Sequence, residues 1–325
     1  MPDIASVAST AQAIRDNIAR VIVGKEHAVD LLLVALFTEG HVLLEDVPGI
    51  GKTTLARSLA RSLDCAFQRL QFTPDLLPSD VTGVNVFNQK SADFEFRPGP
   101  ILAQVVLADE INRAGPRTQS ALLEAMEERQ VTVDGVTYPL PRPFLVLATQ
   151  NPVELEGTFP LPEAQIDRFL LRLELGYPTP EEERAILRRF RQEQPLDSLQ
   201  PVVSPGEIMR LAQICRSVFV STAVEAYIVA LTRASREHSG VLLGASPRGS
   251  LALYRSSQAL AAMRGRDYVL PDDVQGLVAP ALAHRLIATS QARLRGAQRA
   301  VANILDEIVK SVPVPVEESW SADWP

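Results

Sequence analysis

The chain has 325 residues, 46% of them hydrophobic and 22% charged, the mix of a soluble globular protein with the length for one large domain or two ordinary ones. Its net charge of −7 argues against a general nucleic-acid binder, which carries a basic excess, though not against a local basic pore. The longest purely apolar run, Leu31–Phe37, is too short to span a bilayer, Asp3 and Ser6 break any signal pattern early, and two isolated cysteines, Cys65 and Cys215, fit a reducing compartment; a cytoplasmic protein without membrane insertion is expected.

Val42–Glu45 reads as a short strand, followed by Pro48, Gly49 and Gly51 and a helical pattern from Lys52 to about Leu63. Phe67–Phe72 alternates as a second strand. Val84–Phe87 and Phe94–Arg97, around polar Asn88–Asp93, predict an inserted hairpin. Val105–Ala108 is a continuous apolar run closed by Asp109 and Glu110, as expected of a strand buried on both faces. Pro116 opens a helix with Leu122, Leu123 and Met126 on one side. Val131–Val133 and Val136–Tyr138 flank Asp134-Gly135, a strong hairpin signal. Phe144–Thr149 and Phe169–Leu175 supply two further strands. The alternation predicts an α/β core, a mostly parallel sheet flanked by helices. After Tyr177 the pattern changes. Capping signals at Thr179-Pro180-Glu181-Glu182, at Ser204-Pro205-Gly206-Glu207 and at Thr222-Ala223-Val224-Glu225 precede helical patterns that run to about Lys310 without a convincing strand. The expected organisation is a core over residues 1–176, an all-helical domain over 177–311 and a loose, proline-rich tail over 312–325.

Pro48-Gly49-Ile50-Gly51-Lys52-Thr53-Thr54, between a strand and a helix, has the chemistry of a phosphate-binding loop. Gly49 and Gly51 permit turns that aim amide groups at an anion, and the following helix adds its positive end. Lys52 can reach the β- and γ-phosphates, and the Thr53 hydroxyl can ligate magnesium. Asp46 stands where the motif starts with glycine, a departure that leaves the inner residues in place. ATP and Mg2+ are the expected ligands. Hydrolysis needs a metal-side carboxylate and a group that activates water. Asp109 would hold the magnesium through water, and Glu110 would polarise the attacking water. Asn151 could orient the same water. Alone, Asn151-Pro152 reads as a turn, and Arg168 and Arg248 read as surface arginines.

Two longer stretches resemble the MoxR group of AAA+ ATPases. One runs Ala108-Asp109-Glu110-Ile111-Asn112-Arg113-Ala114 and on through Gln119–Glu128; the other joins Ala148-Thr149-Gln150-Asn151-Pro152 to Glu156-Gly157-Thr158-Phe159-Pro160-Leu161-Pro162-Glu163-Ala164-Gln165. Val21-Ile22-Val23-Gly24 is similar to the adenine-side segment of such domains, so Val23 and Gly24 join the expected nucleotide contacts. The Asp46 variant also occurs in this group. The resemblance covers about residues 5–310. It implies a P-loop AAA+ sheet with the Asn151 strand between the phosphate-loop strand and the Asp109 strand, and a helical lid. It implies sensor 1 at Asn151, an arginine finger at Arg168 reaching the neighbouring subunit's nucleotide, and sensor 2 at Arg248. The two hairpins would be the helix-2 insert and the pre-sensor-1 hairpin. It further implies a ring-shaped homo-oligomer, a hexamer, acting as a chaperone on protein clients, often with von Willebrand factor A domains or metal cofactors.

A nucleic-acid motor and a metal-chelatase motor subunit are the alternatives within the same fold. The hairpin Val131–Tyr138 carries Asp134 and no lysine or arginine, which lowers the first. No Asn-Lys-x-Asp guanine signature is present, Ser246 lacks the glycine of a nucleophile elbow, and His27, His41, His238 and His284 lack metal-ligand spacing.

Overall fold

The computed structural model describes residues 3–151, 157–191, 195–296 and 299–316; Pro152, Glu156 and the tail from residue 317 lie outside the described residues. In chain order the first elements are α1 (Ile4–Ala19), α2 (Glu26–Phe37), β1 (Val42–Glu45), α3 (Lys52–Ser62), β2 (Phe67–Gln71) and α4 (Pro78–Thr82). There follow β3 (Gly83–Asn88), β4 (Asp93–Pro98), β5 (Val105–Asp109), α5 (Pro116–Glu128), β6 (Gln130–Val133), β7 (Val136–Pro139), β8 (Leu145–Gln150), α6 (Glu163–Ile166) and β9 (Leu171–Leu173). The chain continues with α7 (Pro180–Arg189), α8 (Pro205–Arg216), α9 (Thr222–Glu237), β10 (Val241–Leu243), α10 (Pro247–Met263), α11 (Pro271–Leu282), β11 (Ile287–Ala288), α12 (Ser290–Gly296) and α13 (Ala300–Ser311). Among the described residues no helix is long and apolar enough to cross a membrane.

The chain divides into two compact units, one of residues 12–169 and 173–209, the other of residues 1–11, 170–172 and 210–325. The first is built on a five-stranded sheet in the order β2-β5-β8-β1-β9. The pairs β2·β5, β5·β8 and β8·β1 are parallel, and β8 lies between the phosphate-loop strand and the Asp109 strand as the resemblance implies. Val105–Asp109 is buried throughout because helices cover both faces of a parallel sheet. The apolar run Leu31–Phe37 sits in α2, whose residues from Leu31 to Phe37 are all buried.

His41 fastens this core. Its Nε2–H donates to the Met126 carbonyl at 3.1 Å and its Nδ1 accepts the Val146 amide at 3.1 Å, joining α5 to β8. Burial, reinforced by the Arg129 charge, lowers its pKa to about 3, so the ring stays neutral. The two hairpins form at the expected places. Asp134 and Gly135 take φ of 50° and 81°, the left-handed pair of a tight hairpin turn. The hairpins are tied together: Asn85 Nδ2 donates to Asp134 Oδ2 at 2.8 Å, and the Phe96 and Tyr138 rings stack at 3.9 Å.

In the second unit the helices are joined by one addition that the sequence patterns did not reveal. Val241–Leu243 pairs antiparallel with Ile287–Ala288, a ribbon too short for periodicity to signal. The cap of α9 is also corrected: Ser221 Oγ accepts the Val224 amide at 3.3 Å, and Thr222 is the first helical residue. The Thr179 capping box is present, with Glu182 returning the bond to the Thr179 amide at 2.7 Å.

Candidate active site

The register pairs Glu45 with Gln150 and Ala108 with Ala148, so the C-terminal ends of β1, β8 and β5 lie side by side. That edge is where open α/β sheets bind ligands. It carries the phosphate loop after β1, Asn151 after β8, and Asp109 and Glu110 at the end of β5.

Gly49 and Gly51 have φ of 86° and 93°, and a Cβ built on either would meet no atom within 4 Å. Backbone sign, not crowding, requires glycine here, and the open space is shaped for an anion. Gly51 is the N-cap of α3 and no side chain caps that end, leaving first-turn N–H groups for a ligand. Lys52 Nζ donates to the Asp46 carbonyl at 2.9 Å, which holds the ammonium against the loop.

Asp46 itself is a structural tie. Its Oδ2 accepts the Leu175 and Gly176 amides at 2.5 and 2.8 Å, and its Oδ1 accepts the Val47 amide at 3.0 Å. The carboxylate in the motif's first position therefore anchors the loop entrance to the chain just after β9.

A pocket of about 320 Å³ opens between Val21–Val23, the loop at Pro48, Gly49, Ile50, Gly51 and Thr54, and the segment with Tyr177, Ile186 and Phe190. Its apolar side suits a flat base beside the anion cradle. Gly24 adjoins it with φ 66°, and a Cβ there would come within 2.0 Å of Glu182 Oε1. The left-handed φ disfavours a side chain here, and one would have to displace the Glu182 carboxylate. Lys25 Nζ donates to the Tyr177 carbonyl at 3.2 Å, closing the same corner.

At the end of β5 the two carboxylates are organised by Thr149, a fully buried residue of β8. Its Oγ donates to Asp109 Oδ1 at 2.6 Å and accepts the Glu110 amide at 2.8 Å. Glu110 has φ 58° and ψ 50°, a left-handed conformation that costs a non-glycine residue about 1 kcal/mol. Thr149 holds that turn in place. Arg69 on β2 donates to Asp109 Oδ2 through Nε at 3.0 Å and Nη2 at 2.6 Å. Gln71, two residues on, donates to Glu110 Oε2 at 2.7 Å, and Arg113 Nε lies 3.1 Å from the same oxygen. Among the described residues no group of three or more His, Cys, Asp or Glu could hold a metal ion. Thr53 and Asp109 offer two hard oxygen donors, a set that suits magnesium completed by phosphate oxygens and water.

The two long motifs meet at Gln119. Its fully buried amide donates to the Ile111 carbonyl at 3.2 Å and to the Phe159 carbonyl at 2.9 Å, pinning the segment after Gly157 to the loop after Glu110. Arg168 follows α6 and is held by Glu127 of α5, with Nε 2.9 Å from Oε2; it does not line the pocket. Arg248 stands in the first turn of α10, in the other unit, where its amide donates to Ser246 Oγ at 3.1 Å. Burial pushes the Cys65 and Cys215 thiols up to about 12, so neither is a nucleophile at neutral pH.

A family model described as "ATPase family associated with various cellular activities (AAA)" matches residues 41–171, and one described as "AAA lid domain" matches residues 233–308. The Chaperone MoxR1 of Mycobacterium tuberculosis is 43% identical over 92% of this chain and 81% of its own. The chain belongs to the MoxR family of AAA+ ATPases. Protein MoxR of Methylorubrum extorquens is 34% identical over 92% of this chain and 93% of its own, and the Bacillus subtilis protein YeaC is 51% identical over 94% of each. A solved structure from Cytophaga hutchinsonii superposes with a TM-score of 0.90 at 39% identity, covering 96% of this chain and 97% of its own.

Four participants escaped the sequence reading: Thr149, Arg69, Gln71 and the pocket wall at Tyr177, Ile186 and Phe190. For Thr149 a signal existed, a polar residue closing a strand otherwise buried and apolar. For Arg69 and Gln71 none did, because exposed polar residues on an alternating strand carry no mark of what lies on the neighbouring strand.

Proposed function

We propose that this chain binds ATP with Mg2+ at its phosphate loop, hydrolyses the ATP, and uses the cycle to remodel or activate partner protein complexes. The observation that carries the reading is the single Thr149 hydroxyl that joins the Asp109 carboxylate to the Glu110 amide at the sheet edge bearing the phosphate loop. In this reading the backbone of Pro48–Thr54 cradles the phosphates, and Lys52 leaves the Asp46 carbonyl for the β- and γ-phosphates. Val23 and Gly24 border the base. Thr53 would hold magnesium directly and Asp109 through water, and the ion would supply positive charge beside the phosphates. Glu110 polarises the water and Asn151 orients it.

Arg168 acts in trans. It is half-buried and held by Glu127, outside the pocket of its own protomer, which favours delivery to a neighbour in a ring-shaped homo-oligomer, a hexamer. Arg248 serves as the sensor of the helical lid. We assign residues 1–176 to the core, 177–311 to the lid and 312–325 to a tail. The client is a protein, with von Willebrand factor A-domain or metal-cofactor proteins as the first to test. The mycobacterial relative, named a chaperone, supports this, as do the exposed Phe87 and Phe94 on the β3–β4 hairpin. The cytoplasm is the proposed compartment.

Phosphate release from ATP, with nucleotide binding measured in parallel, tests the reading. Glu110→Gln should bind ATP and release no phosphate. Arg168→Ala should bind normally and lose about 10³-fold or more in rate, the usual worth of an arginine in trans. Wild-type turnover in either variant would refute the assignment of that residue. Stimulation of turnover by DNA would favour a nucleic-acid motor, and activity in a tetrapyrrole metal-insertion assay a chelatase subunit.

A further inference from the structure

Both oxygens of Asp109 are already engaged by the protein. Oδ1 accepts the Thr149 hydroxyl, and Oδ2 accepts two nitrogens of Arg69. The carboxylate is buried, at 9% exposure, so a negative charge here needs a counter-charge close by. Arg69 supplies one, at 2.6 Å. It stands on the edge strand β2, and its side chain is 45% exposed, so swinging outward returns it to water. The oxygen it occupies is the one left over for a cation once Thr149 has taken the other.

We infer that Arg69 is the resident counter-cation of Asp109, that it competes with the hydrated divalent cation, through its bound water, for Oδ2, and that a magnesium–nucleotide complex binds only by displacing it. The inference rests on the magnesium assignment of Asp109 made above. Displacement also reaches the second carboxylate. Arg69 Nη2 donates to Gln71 Oε1 at 2.8 Å, and the same Gln71 amide donates to Glu110 Oε2 at 2.7 Å. Asp109, Arg69, Gln71 and Glu110 thus form one continuous chain of hydrogen bonds, and moving the guanidinium removes the bond that orients the Gln71 amide. Arg69 is a positioning residue: it acts on the metal-side carboxylate directly and on Glu110 through Gln71.

The test uses the full chain and a fluorescent ADP (mant-ADP), titrated in EDTA and then at rising Mg2+. The readout is the Mg2+ midpoint of the change in nucleotide affinity, which needs no turnover. Removing the competing charge with Arg69→Gln should move the midpoint to roughly tenfold lower Mg2+, the scale of one charge-assisted contact at a half-exposed position. Arg69→Lys keeps the charge but loses the two-nitrogen grip, and should fall between the two; it also carries the test should the glutamine variant fail to fold. A midpoint that stays put or rises in the variant that folds would overturn the inference, because an arginine that merely supports Asp109 would weaken the cation site when removed. If the wild type binds mant-ADP but shows no Mg2+ dependence, the magnesium assignment fails and takes this inference with it. If mant-ADP does not bind wild type under either condition, the nucleotide reading itself is wrong.

Discussion

Replacing Asp46 by glycine would restore the residue that starts most phosphate loops, yet it should damage this one. Asp46 Oδ2 receives the amides of Leu175 and Gly176 at 2.5 and 2.8 Å. Leu175 is 7% exposed and Asp46 9%, so water cannot readily take over both bonds. Hydrogen bonds to a charged acceptor contribute about 1.5–3 kcal/mol each, and a new glycine adds about 0.5–1 kcal/mol of chain entropy. The bond to the adjacent Val47 amide is local and contributes little. The expected loss is therefore roughly 3.5–7 kcal/mol, or a melting temperature about 10 °C lower or more for a unit of this size. Thermal unfolding of the nucleotide-free chain, followed by circular dichroism, measures it. Asp46→Asn, which keeps one side-chain oxygen, should lose less. A glycine variant within about 2 °C of wild type, or above it, would show that the carboxylate does not anchor the loop.

Thr149→Val preserves shape but strands the Asp109 oxygen and the Glu110 amide. Turnover should fall by roughly 10²-fold with nucleotide affinity little changed, and Thr149→Ser should restore it; loss of binding instead would move Thr149 out of the catalytic arrangement. His41 makes stability depend on pH. The unfolded ring takes up a proton below its usual value of about 6.5, and the folded ring resists protonation down to about 3, so stability present above pH 6.5 is lost as pH falls. Between neutral pH and pH 5 the wild type should lose about 2 kcal/mol more than His41→Gln, measured by urea unfolding; equal losses would mean the ring is protonated in the folded state.

The local sequence by itself determined the elements whose cause is local. Asp134-Gly135 needs two left-handed residues in succession and forms the hairpin; Thr179 and Glu182 close a capping box within four residues of each other. Strand Val105–Asp109 was legible because burial on both faces leaves a continuous apolar run. The turn after β1 was legible because positive φ at Gly49 and Gly51 favours glycine whatever surrounds it. The β10–β11 ribbon was not, since Ile287–Ala288 is a strand only through its partner 44 or more residues earlier in the chain. Tertiary structure alone decided what each polar side chain answers to. Asp46 looked like a fault in a motif until Leu175 and Gly176 were brought to its carboxylate. Only the pairing of β2 with β5 sets Arg69 and Gln71 beside Asp109 and Glu110. A hydrogen bond across adjacent strands leaves no periodicity in either one, so the chain can carry the partners of the Asp109 and Glu110 carboxylates without announcing them.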